Sequence, residues 1–404
     1  MSAVAPTLDF APLYLKKDEE RRLRAGHVWV YSNEVDVQRS PLKDLTPGQP
    51  VVLLATTGKT LGTGYANPHS LICARLVSRD AQHPFGPSLL VHRLKVALSL
   101  RQRLFATPFY RLVYGEADQL PGLVVDRYGD VLAVQLTTAG MEQQKDGLLG
   151  ALIKVLRPKA VVWRNDSSVR ALEGLESYVA VEESLDPVAP LILEEEGLRF
   201  VVDPVHGQKT GWFYDQRDNR TRFRRHVKGR VLDAFSYTGA WGITAAASGA
   251  DEVLCVDTSQ SALELAAQSA DLNGVAAKLQ LAAGDGLTTL KNLRQDNQRF
   301  DVVVVDPPAF IKRKKDWKAG AIAYRRLFEA AMRLLSRDGL LVACSCSQHF
   351  GRDDLHATLL QAARHLDRHL MVVERGHQAA AHPLHPAIPE TDYLKASFCR
   401  TLPA

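Results

Sequence analysis

The chain has 404 residues, of which 46% are hydrophobic and 24% charged, and Lys and Arg number 50 against 45 Asp and Glu. This length predicts two or three domains, and the composition excludes a disordered, collagen-like or disulfide-framework protein. No apolar run reaches the roughly 18 residues of a membrane span, and Met1–Phe10 lacks the basic start and apolar core of a signal peptide. Five cysteines without a Cys-x-x-Cys pair favour a cytoplasmic protein with free thiols and no metal.

The first 190 residues predict two small domains. Residues 1–80 combine a basic helical stretch, Lys16–Ala25, with short β-rich runs that glycines separate, which is typical of a small β-barrel. Residues 81–190 begin with a helix rich in Leu and Arg. Two strands, a helix and a further strand follow at 122–128, 131–137, 142–156 and 160–164. This order predicts an α+β domain.

From residue 191 onward, short apolar runs alternate with helical stretches. After a hairpin around Glu196-Gly197, the predicted strands cover 231–235, 253–256, 279–282, 302–305 and 340–344. Near-continuous apolar strands between helices are typical of a parallel sheet that is buried on both faces. We therefore predict that residues 191–404 form a doubly wound, Rossmann-like α/β domain.

Acidic residues follow four of these strands, at the carboxyl ends where such a sheet binds its ligands. They are Asp233, Asp257, Asp285 and Asp306, and Cys346 follows the next strand. Asp257 lies where nucleoside-binding sheets hold ribose hydroxyls. Taken alone, Asp257 fits a turn or a helix cap and Asp285 fits a bare turn, but four acids at four successive strand ends indicate a binding site.

The loop after the first strand favours S-adenosylmethionine over a nicotinamide dinucleotide. The loop opens a helix but lacks Gly-x-Gly-x-x-Gly, through which a helix N-terminus approaches a pyrophosphate. S-adenosylmethionine has a ribose, an adenine and a sulfonium but no phosphate. Asp306-Pro307-Pro308 supports the same choice, because two prolines give a rigid backbone that can hold a base edge beside the methyl donor.

Cys346 predicts the reaction type. Carbon 5 of a pyrimidine is a poor nucleophile until a thiolate adds at carbon 6, and nearby basic residues would favour that thiolate by lowering the thiol pKa. Asp306 is positioned in the sequence to donate a proton or hydrogen bond to ring nitrogen N3. A single cysteine is more often a small buried hydrophobe. We expect that role for Cys73, Cys255, Cys344 and Cys399.

These motifs resemble the RlmI-type family of 23S ribosomal RNA (cytosine-C5) methyltransferases, and the resemblance covers nearly the whole chain. The matching stretches are Gly207-Gln-Lys-Thr-Gly211, Asp215-Gln-Arg-x-Asn-Arg220, Asp233-x-Phe-Ser-Tyr-Thr-Gly239, Asp306-Pro-Pro-Ala-Phe310, Ser345-Cys-Ser347, His382-Pro and Tyr393-Leu-Lys395. Residues 1–80 resemble an RNA-binding PUA domain through Gly26-His-x-Trp-Val30. Residues 81–190 resemble the family's linking domain through Gly115-Glu-x-Asp118, Leu120-Pro-Gly-Leu123 and Asp126-x-Tyr128.

The resemblance implies a class I methyltransferase in which Cys346 is the nucleophile and Asp306 assists it. It implies that S-adenosylmethionine is bound by Gln216, Phe235, Tyr237, Gly239, Asp257, Asp285, Asp306 and Pro307. Many other RNA cytosine-C5 methyltransferases carry a second cysteine after Asp-Pro-Pro, where this chain has Ala309. Cys346 is therefore expected to act alone. The implied partner is large-subunit ribosomal RNA, and a homodimer is left open.

Basic clusters at 16–24, 217–230 and 312–318 suggest contacts with RNA phosphates. One such cluster is more often a solvated helix face, but two of these lie beside the predicted active site. The candidate RNA-binding residues are Lys16, Lys17, Arg21, Arg24, Arg220, Lys312 and Lys314. Three aromatic residues of the first domain, Trp29, Tyr31 and Tyr65, are candidates for base stacking, although core packing is the expected role of at least two.

Two other functions fit parts of the same sequence. A methyltransferase acting on a purine nitrogen shares the fold and an acidic-Pro-Pro-aromatic motif, but here the aromatic, Phe310, is one position late and Cys346 would have no role. A non-catalytic RNA-binding assembly factor would need no intact cofactor pocket. The spacing of His365 and His369 on a predicted helix is compatible with zinc, but the glutamate of metalloproteases is absent between them.

Overall fold

The computed structural model describes residues 10–80, 82–182, 185–186 and 188–403. The first nine residues, in which no signal peptide is expected, lie outside this range. The chain divides into two compact units. The first comprises Met1–Ala189, Pro204–Trp212 and Ala381–Thr391, and the second comprises Pro190–Asp203, Phe213–Ala380 and Asp392–Ala404.

This division differs from the three predicted domains, because two short segments beyond residue 191 belong to the first unit. Thr210 donates its hydroxyl to Asp126 at 2.5 Å and accepts a hydrogen bond from the Tyr128 hydroxyl on its carbonyl oxygen at 3.0 Å. The buried Arg101 guanidinium donates to the carbonyl oxygen of Ala381 at 2.8 Å. Such buried polar links cannot be read from the periodicity of apolar residues.

The amino-terminal sheet has the strand order β1-β3-β4-β5-β2. Its elements are β1 (Ala11–Tyr14), α1 (Glu20–Arg24), β2 (Trp29–Tyr31), β3 (Gln49–Leu54), β4 (Thr60–Ala66) and β5 (Ile72–Ser78). β1 is parallel to β3, the other pairs are antiparallel, and a bridge between Leu15 and Val35 links the chain beyond the two edge strands. The predicted β-rich runs are confirmed in β2 to β5, whereas β1 was not predicted from the sequence.

The second sheet has the order β10-β9-β8-β7-β6, in which only β8 and β9 run parallel among the pairs described. Its elements are α2 (Pro87–Leu104), β6 (Phe109–Tyr114), β7 (Leu123–Tyr128), β8 (Val131–Leu136), α3 (Ala139–Glu142), α4 (Lys145–Leu156), β9 (Ala160–Asn165) and β10 (Tyr178–Val181). Leucines of α2 and α4 bury their side chains in one core with this sheet. The predicted α+β character is therefore confirmed. The two edge strands, β6 and β10, were not predicted.

The first two sheets share their packing. Tyr65 of β4 is buried and hydrogen-bonds through its hydroxyl to the Pro121 carbonyl and the Thr138 hydroxyl, each at 2.9 Å. A Cβ atom on Gly140 would lie 2.0 Å from the Tyr65 ring, so only glycine fits there. Arg75 forms a buried ion pair with Glu173 at 3.1 Å. These contacts join the first sheet to the segments around the second sheet.

The second unit contains a sheet of order β15-β14-β13-β16-β17-β19-β18. The elements of this second unit are β11 (Leu191–Glu195), β12 (Leu198–Val202), α5 (Arg217–Phe223), β13 (Arg230–Ala234), α6 (Ala240–Ala247), β14 (Glu252–Asp257), α7 (Gln260–Leu272), β15 (Leu279–Ala283), α8 (Gly286–Gln295), β16 (Phe300–Val305), α9 (Trp317–Leu334), β17 (Leu335–Ser345), α10 (Arg352–His365), β18 (Arg368–His377) and β19 (Lys395–Pro403). β13 to β17 are parallel, and β19 is antiparallel to both its neighbours. The predicted doubly wound sheet is confirmed.

Side chains of α8, α9 and α10 pack with the central strands in one hydrophobic core. Val302 to Val305 of β16 are completely buried, as expected for a central parallel strand that is covered on both faces. Among the described helices, none combines the length and the apolar character that crossing a membrane requires.

Candidate active site

The candidate site lies at the carboxyl ends of β13 to β17. β13 is central, with β14 on one side and β16 on the other, so the strand order reverses there. Doubly wound sheets bind ligands in the crevice at such a point. The sheet therefore brings the loop after β13 next to Asp257 and Asp306, with Asp285 and Cys346 following the strands on either side.

The loop after β13 has an unusual backbone. Phe235, Tyr237 and Gly239 all have positive φ angles, of 67°, 50° and 73°. For a residue other than glycine this conformation costs on the order of 1–3 kcal/mol and persists only where the surroundings enforce it. Here Asp257 accepts the backbone N–H of Tyr237 at 2.8 Å, and Ser236 donates its N–H to the Val256 carbonyl at 2.9 Å.

Asp257 and Asp285 accept hydrogen bonds from different parts of the backbone. One oxygen of the Asp257 carboxylate binds the Tyr237 N–H, and the other accepts the Ser259 N–H at 2.9 Å. Asp285 caps α8 by accepting the Thr288 N–H at 2.9 Å, and hydrogen bonds from the side chain and then the backbone of Thr288 lower the pKa of Asp285. Asp285 is therefore an exposed helix cap, not the bare turn that its place between glycines also suggested.

Phe235 packs directly on Gly286, the first residue of α8. A Cβ atom on Gly286 would lie 2.6 Å from the Phe235 ring, so the absence of a side chain lets the ring approach. The ring is only partly buried. The Phe235 ring therefore lies beside Gly286, the residue that follows Asp285.

Asp306 is held by two side-chain donors. Gln216 donates from Nε2 at 2.9 Å and Trp241 donates from Nε1 at 3.3 Å, both to Oδ2 of Asp306. Asn219 in turn donates to Oε1 of Gln216 at 2.7 Å. Gln216 and Asp306, both expected around the cofactor, are thus in direct contact. Trp241 and Asn219 were not predicted, although Asn219 lies within the quoted Asp215–Arg220 stretch.

Polar atoms beneath the loop fit a polar ligand. Asp233 is completely buried, and burial raises its pKa well above the usual range, with Asp306 and Asp257 adding to the effect. Its Oδ2 accepts the Gly242 N–H at 2.9 Å. Its Oδ1 and the hydroxyls of Ser236 and Thr238 are buried without a hydrogen-bond partner among the described residues. Because unpaired buried polar atoms are rare, this group is suited to a bound cofactor.

Cys346 follows β17 and is half-buried, whereas Cys73, Cys255, Cys344 and Cys399 are fully buried, as predicted. The Cys346 sulfur lies 4.0 Å from the carbonyl oxygen of Pro307, the residue after Asp306. The Tyr324 hydroxyl hydrogen-bonds to the hydroxyls of both flanking residues, Ser345 and Ser347, at 2.9 Å each. Nothing in the sequence identified Tyr324, which lies on a helix far from the strand-end motifs.

The structure corrects the prediction for Arg220. Its guanidinium is buried and pairs with both carboxylate oxygens of Glu195, at 2.6 and 2.8 Å, so it is not available to a phosphate. Other members of the same basic run also pair with acids. Arg217 binds Glu196, Arg225 binds Glu374, and Arg230 binds Glu252. These arginines of the run are thus paired with acids, while Arg225 and Lys228 remain exposed.

The remaining basic candidates are exposed. Lys312 and Lys314 are exposed between β16 and α9, and Lys16, Lys17, Arg21 and Arg24 are exposed around α1. Arg21 pairs with Asp18 on the surface at 2.7 Å, a contact that solvent weakens. Unlike Arg220, these six side chains are thus placed where RNA could reach them.

The aromatic candidates of the first sheet have structural contacts. Trp29 donates its indole N–H to Glu116 at 2.8 Å, Tyr65 is buried, and the Arg22 guanidinium lies 4.7 Å from the centre of the Tyr31 ring.

The zinc alternative required His365 and His369 on one helix. In the structure α10 ends at His365, whereas His369 lies on β18. In the described part of the chain, no group of three His, Cys, Asp or Glu side chains could hold a metal.

Comparisons with known proteins agree with this geometry. Residues 13–79 match the profile of a PUA-like domain, and residues 162–400 match that of an S-adenosylmethionine-dependent methyltransferase. The chain is 36% identical to ribosomal RNA large subunit methyltransferase I of Erwinia tasmaniensis, over 96% of this chain and 99% of that protein. It is 35% identical to the protein of the same name from Shigella boydii, with the same coverage.

A solved structure shows the same fold. The crystal structure of SMU.776 complexed with S-adenosylhomocysteine superposes with a TM-score of 0.82 at 20% identity, covering 97% of this chain and 100% of that one. The methyl donor is accordingly S-adenosylmethionine. With a PUA-like domain, a class I sheet and full-length relatives, the chain belongs to the ribosomal RNA large subunit methyltransferase I family of S-adenosylmethionine-dependent methyltransferases.

Proposed function

We propose that this protein methylates carbon 5 of a cytosine in 23S ribosomal RNA through a covalent adduct with Cys346. The observation that carries the proposal is the place of the half-buried Cys346 thiol, 4.0 Å from the Pro307 carbonyl at the strand ends. The names of the relatives support large-subunit ribosomal RNA as the substrate. The thiol supports a pyrimidine carbon as the acceptor, since a ring nitrogen needs no covalent activation.

The proposed reaction consists of addition, methylation and elimination at the cytosine ring. The Cys346 thiolate forms a bond to carbon 6, and Asp306 donates a proton or hydrogen bond at N3 as charge moves into the ring. S-adenosylmethionine, when bound, would supply a methyl group on its sulfonium for attack by carbon 5, with S-adenosylhomocysteine as the leaving group. Carbon 5 then gives its proton to a general base such as water, the bond between sulfur and carbon 6 breaks to restore the thiolate, and any proton on N3 returns to Asp306. Ala309 follows Pro308, so no second thiol from that loop takes part.

The cofactor is expected to bind where loop, strand ends and buried polar atoms meet. Asp257 has lone pairs left for ribose hydroxyls after binding two backbone N–H groups. Phe235 and Asp285 border the position proposed for adenine. Tyr237, Gly239, Gln216 and Pro307 complete the proposed site around the methionine and methyl end.

RNA is expected to contact the exposed basic residues. Lys312 and Lys314 belong to the segment that follows Asp306-Pro307-Pro308, so they are close in sequence to the proposed catalytic residues. The cluster around α1, with Lys16, Lys17, Arg21 and Arg24, gives the PUA-like domain an electrostatic contact with phosphates. Binding at both places would position the target base without reading its sequence.

The packing of Phe310 weighs against the purine-nitrogen alternative. Its ring centre lies 4.7 Å from that of the buried Tyr324, and Phe310 packs on the hydrophobic core of the sheet domain. An aromatic residue that stacks on a target purine needs an open face over the site. Phe310 is partly buried against this core, and it lies one residue later than that motif requires.

A trapping experiment tests the proposed reaction. With RNA that carries 5-fluorocytidine at the target, the wild-type enzyme should form a stable covalent complex, because fluorine does not leave as a proton does. Cys346→Ala should form no complex and transfer no methyl group, while its affinity for S-adenosylmethionine stays near wild type. Cys344→Ala is the matched control and should still be trapped. Full activity of Cys346→Ala would refute the cytosine-C5 mechanism.

The substrate is tested in cells. In a strain without this protein, mapping of 5-methylcytosine should show the loss of one site in large-subunit ribosomal RNA. If every such site remains methylated, the assignment to 23S ribosomal RNA is wrong. A protein that fails to bind S-adenosylmethionine in a titration would instead be a non-catalytic assembly factor.

A further inference from the structure

Lys395, the first residue of β19, is a buried cation beside the proposed nucleophile. It lies opposite Ser345 in the antiparallel ladder between β17 and β19, and only 6% of its surface is exposed. Its ammonium donates to the carbonyl oxygen of Ser347 at 2.6 Å and to that of Tyr393 at 2.8 Å. The ammonium is therefore held beside the backbone of Ser347, the residue that follows Cys346.

This cation has no carboxylate partner in the described part of the chain. A lysine that is buried without a counter-charge is costly, and burial accordingly lowers the pKa of Lys395 to about 8. Cys346 contributes more than any other charged group to stabilising the ammonium, ahead of Asp392 and Asp354, while Arg352 opposes it. The thiolate of Cys346 is thus the principal negative charge available to Lys395.

We propose that Lys395 is a positioning residue that keeps Cys346 in its thiolate form. This inference rests on the proposed function in one respect only, the role of Cys346 as nucleophile. The Lys395 amine takes the thiol proton, so that the S–H bond breaks, an N–H bond forms and the net charge of the pair stays zero. An ammonium has three N–H donors. Two are used by the carbonyls of Ser347 and Tyr393, which leaves one for the sulfur.

The groups around the pair have opposing effects. Besides burial, Asp306 at the end of β16 raises the pKa of Cys344, two residues from Cys346, and Arg352 at the start of α10 lowers the pKa of Lys395. Tyr324 of α9 lies beneath, and burial raises the pKa of its phenol, which keeps it neutral at physiological pH. Lys395 is the only cation among these groups that is also hydrogen-bonded to a residue adjacent to Cys346.

A purely structural role is the alternative, since the two carbonyl contacts also fix the end of β17. Tyr324 offers a matched comparison. Its hydroxyl holds the same segment through Ser345 and Ser347 but carries no charge. Tyr324→Phe should therefore disturb the segment without changing the ionisation of the thiol, whereas Lys395→Met should change both.

The test is the pH dependence of alkylation by iodoacetamide, which reacts with thiolates. Mass spectrometry of the Cys346 peptide measures the rate in the folded, full-length protein without RNA, and the four buried cysteines report any unfolding. At pH 7 Lys395→Met should react at least about tenfold more slowly than wild type, because an opposite charge within a few ångströms shifts ionisation by about one pH unit or more. Lys395→Arg, which keeps a cation, and Tyr324→Phe should both keep the wild-type pH midpoint.

An unchanged midpoint in Lys395→Met would overturn the proposal. If Lys395→Met does not fold, wild type alone decides. A midpoint below that of free cysteine, about 8.5, supports the pair, and a midpoint at or above it refutes the pair. The outcome is separate from that of the trapping experiment. Failure of 5-fluorocytidine trapping with a lowered midpoint would refute cytosine-C5 methylation and leave the Lys395–Cys346 pair standing.

Discussion

Gln216 and Asp306 are 90 positions apart in the sequence, yet the Gln216 amide donates to the Asp306 carboxylate at 2.9 Å. Gln216 immediately precedes α5, and Asp306 follows β16. The orientation of an acid in the proposed site thus depends on a segment outside the strand-end loops. This link explains why the Asp215–Arg220 motif accompanies the Asp306-Pro-Pro motif in one chain.

We predict that Gln216→Leu lowers kcat for RNA methylation by about 10- to 100-fold, since small errors in the placement of a catalytic group have effects of that size. Affinity for S-adenosylmethionine should fall less than kcat. Single-turnover kinetics and calorimetry measure the two quantities. Thr221→Ala, on the same short helix, is the control and should keep wild-type kinetics. Wild-type kcat in Gln216→Leu would show that the contact does not position Asp306.

Asp257→Ala should weaken binding of S-adenosylmethionine by about 1–3 kcal/mol, the range for a hydrogen bond to a charged group. The change also removes the acceptor that holds the Tyr237 N–H, so part of the loss should come from the loop. Isothermal calorimetry gives the affinity, and circular dichroism checks the fold. Asp271→Ala removes an exposed acid from α7 and should bind normally. Equal affinities for the two variants would exclude Asp257 from the site.

Arg220→Met should destabilise the protein by about 3–5 kcal/mol, because it leaves the Glu195 carboxylate buried without its partner. The double variant Arg220→Met with Glu195→Leu should recover most of this stability. Urea unfolding measures the stability of both variants. Filter binding measures RNA affinity, which should be unchanged under conditions in which the variant is folded. A weaker salt dependence of RNA binding with wild-type stability would restore Arg220 as an RNA contact.

Lys312→Ser with Lys314→Ser should weaken RNA binding and reduce the slope of log K against log salt by about 1–2, one for each lost phosphate contact. The fold should be unaffected, since both side chains are exposed. Lys95→Ser with Lys154→Ser removes two exposed lysines from α2 and α4 and serves as the charge-matched control. Identical slopes for the two double variants would place RNA elsewhere.

Asp233 predicts a pH dependence of stability. Because burial raises its pKa, the folded state keeps a proton that the unfolded chain releases above about pH 4. The stabilisation is complete below the unfolded pKa and is lost as the pH rises towards the folded pKa. Relative to Asp233→Asn, which cannot titrate, wild type should lose up to about 1.4 kcal/mol per pH unit as the pH rises above the unfolded pKa. A difference in unfolding free energy that is constant with pH would contradict this.

The architecture of the sheet domain could be predicted because its strands are apolar on both faces and its acids stand at the strand ends. The same reasoning missed β1, β6 and β10, which are short edge strands with little periodicity, and it also missed β18 and β19 of the large sheet. Arg220 was misjudged because a sequence shows that an arginine is basic but not that Glu195 lies beside it. Lys395 belongs to a quoted motif, yet its closeness to Cys346 follows only from the pairing of β19 with β17.

That pairing also sets an order of events during synthesis. β18 is made before β19, yet β19 lies between β17 and β18 in the sheet, and β19 is the strand with which β18 pairs in the described chain. Until β19 leaves the ribosome, both β17 and β18 expose unpaired backbone edges that invite aggregation. Lys395 opens β19, so Cys346 gains its proposed cation in the same step that closes the sheet. A nascent chain would therefore acquire a reactive thiol only once it has folded.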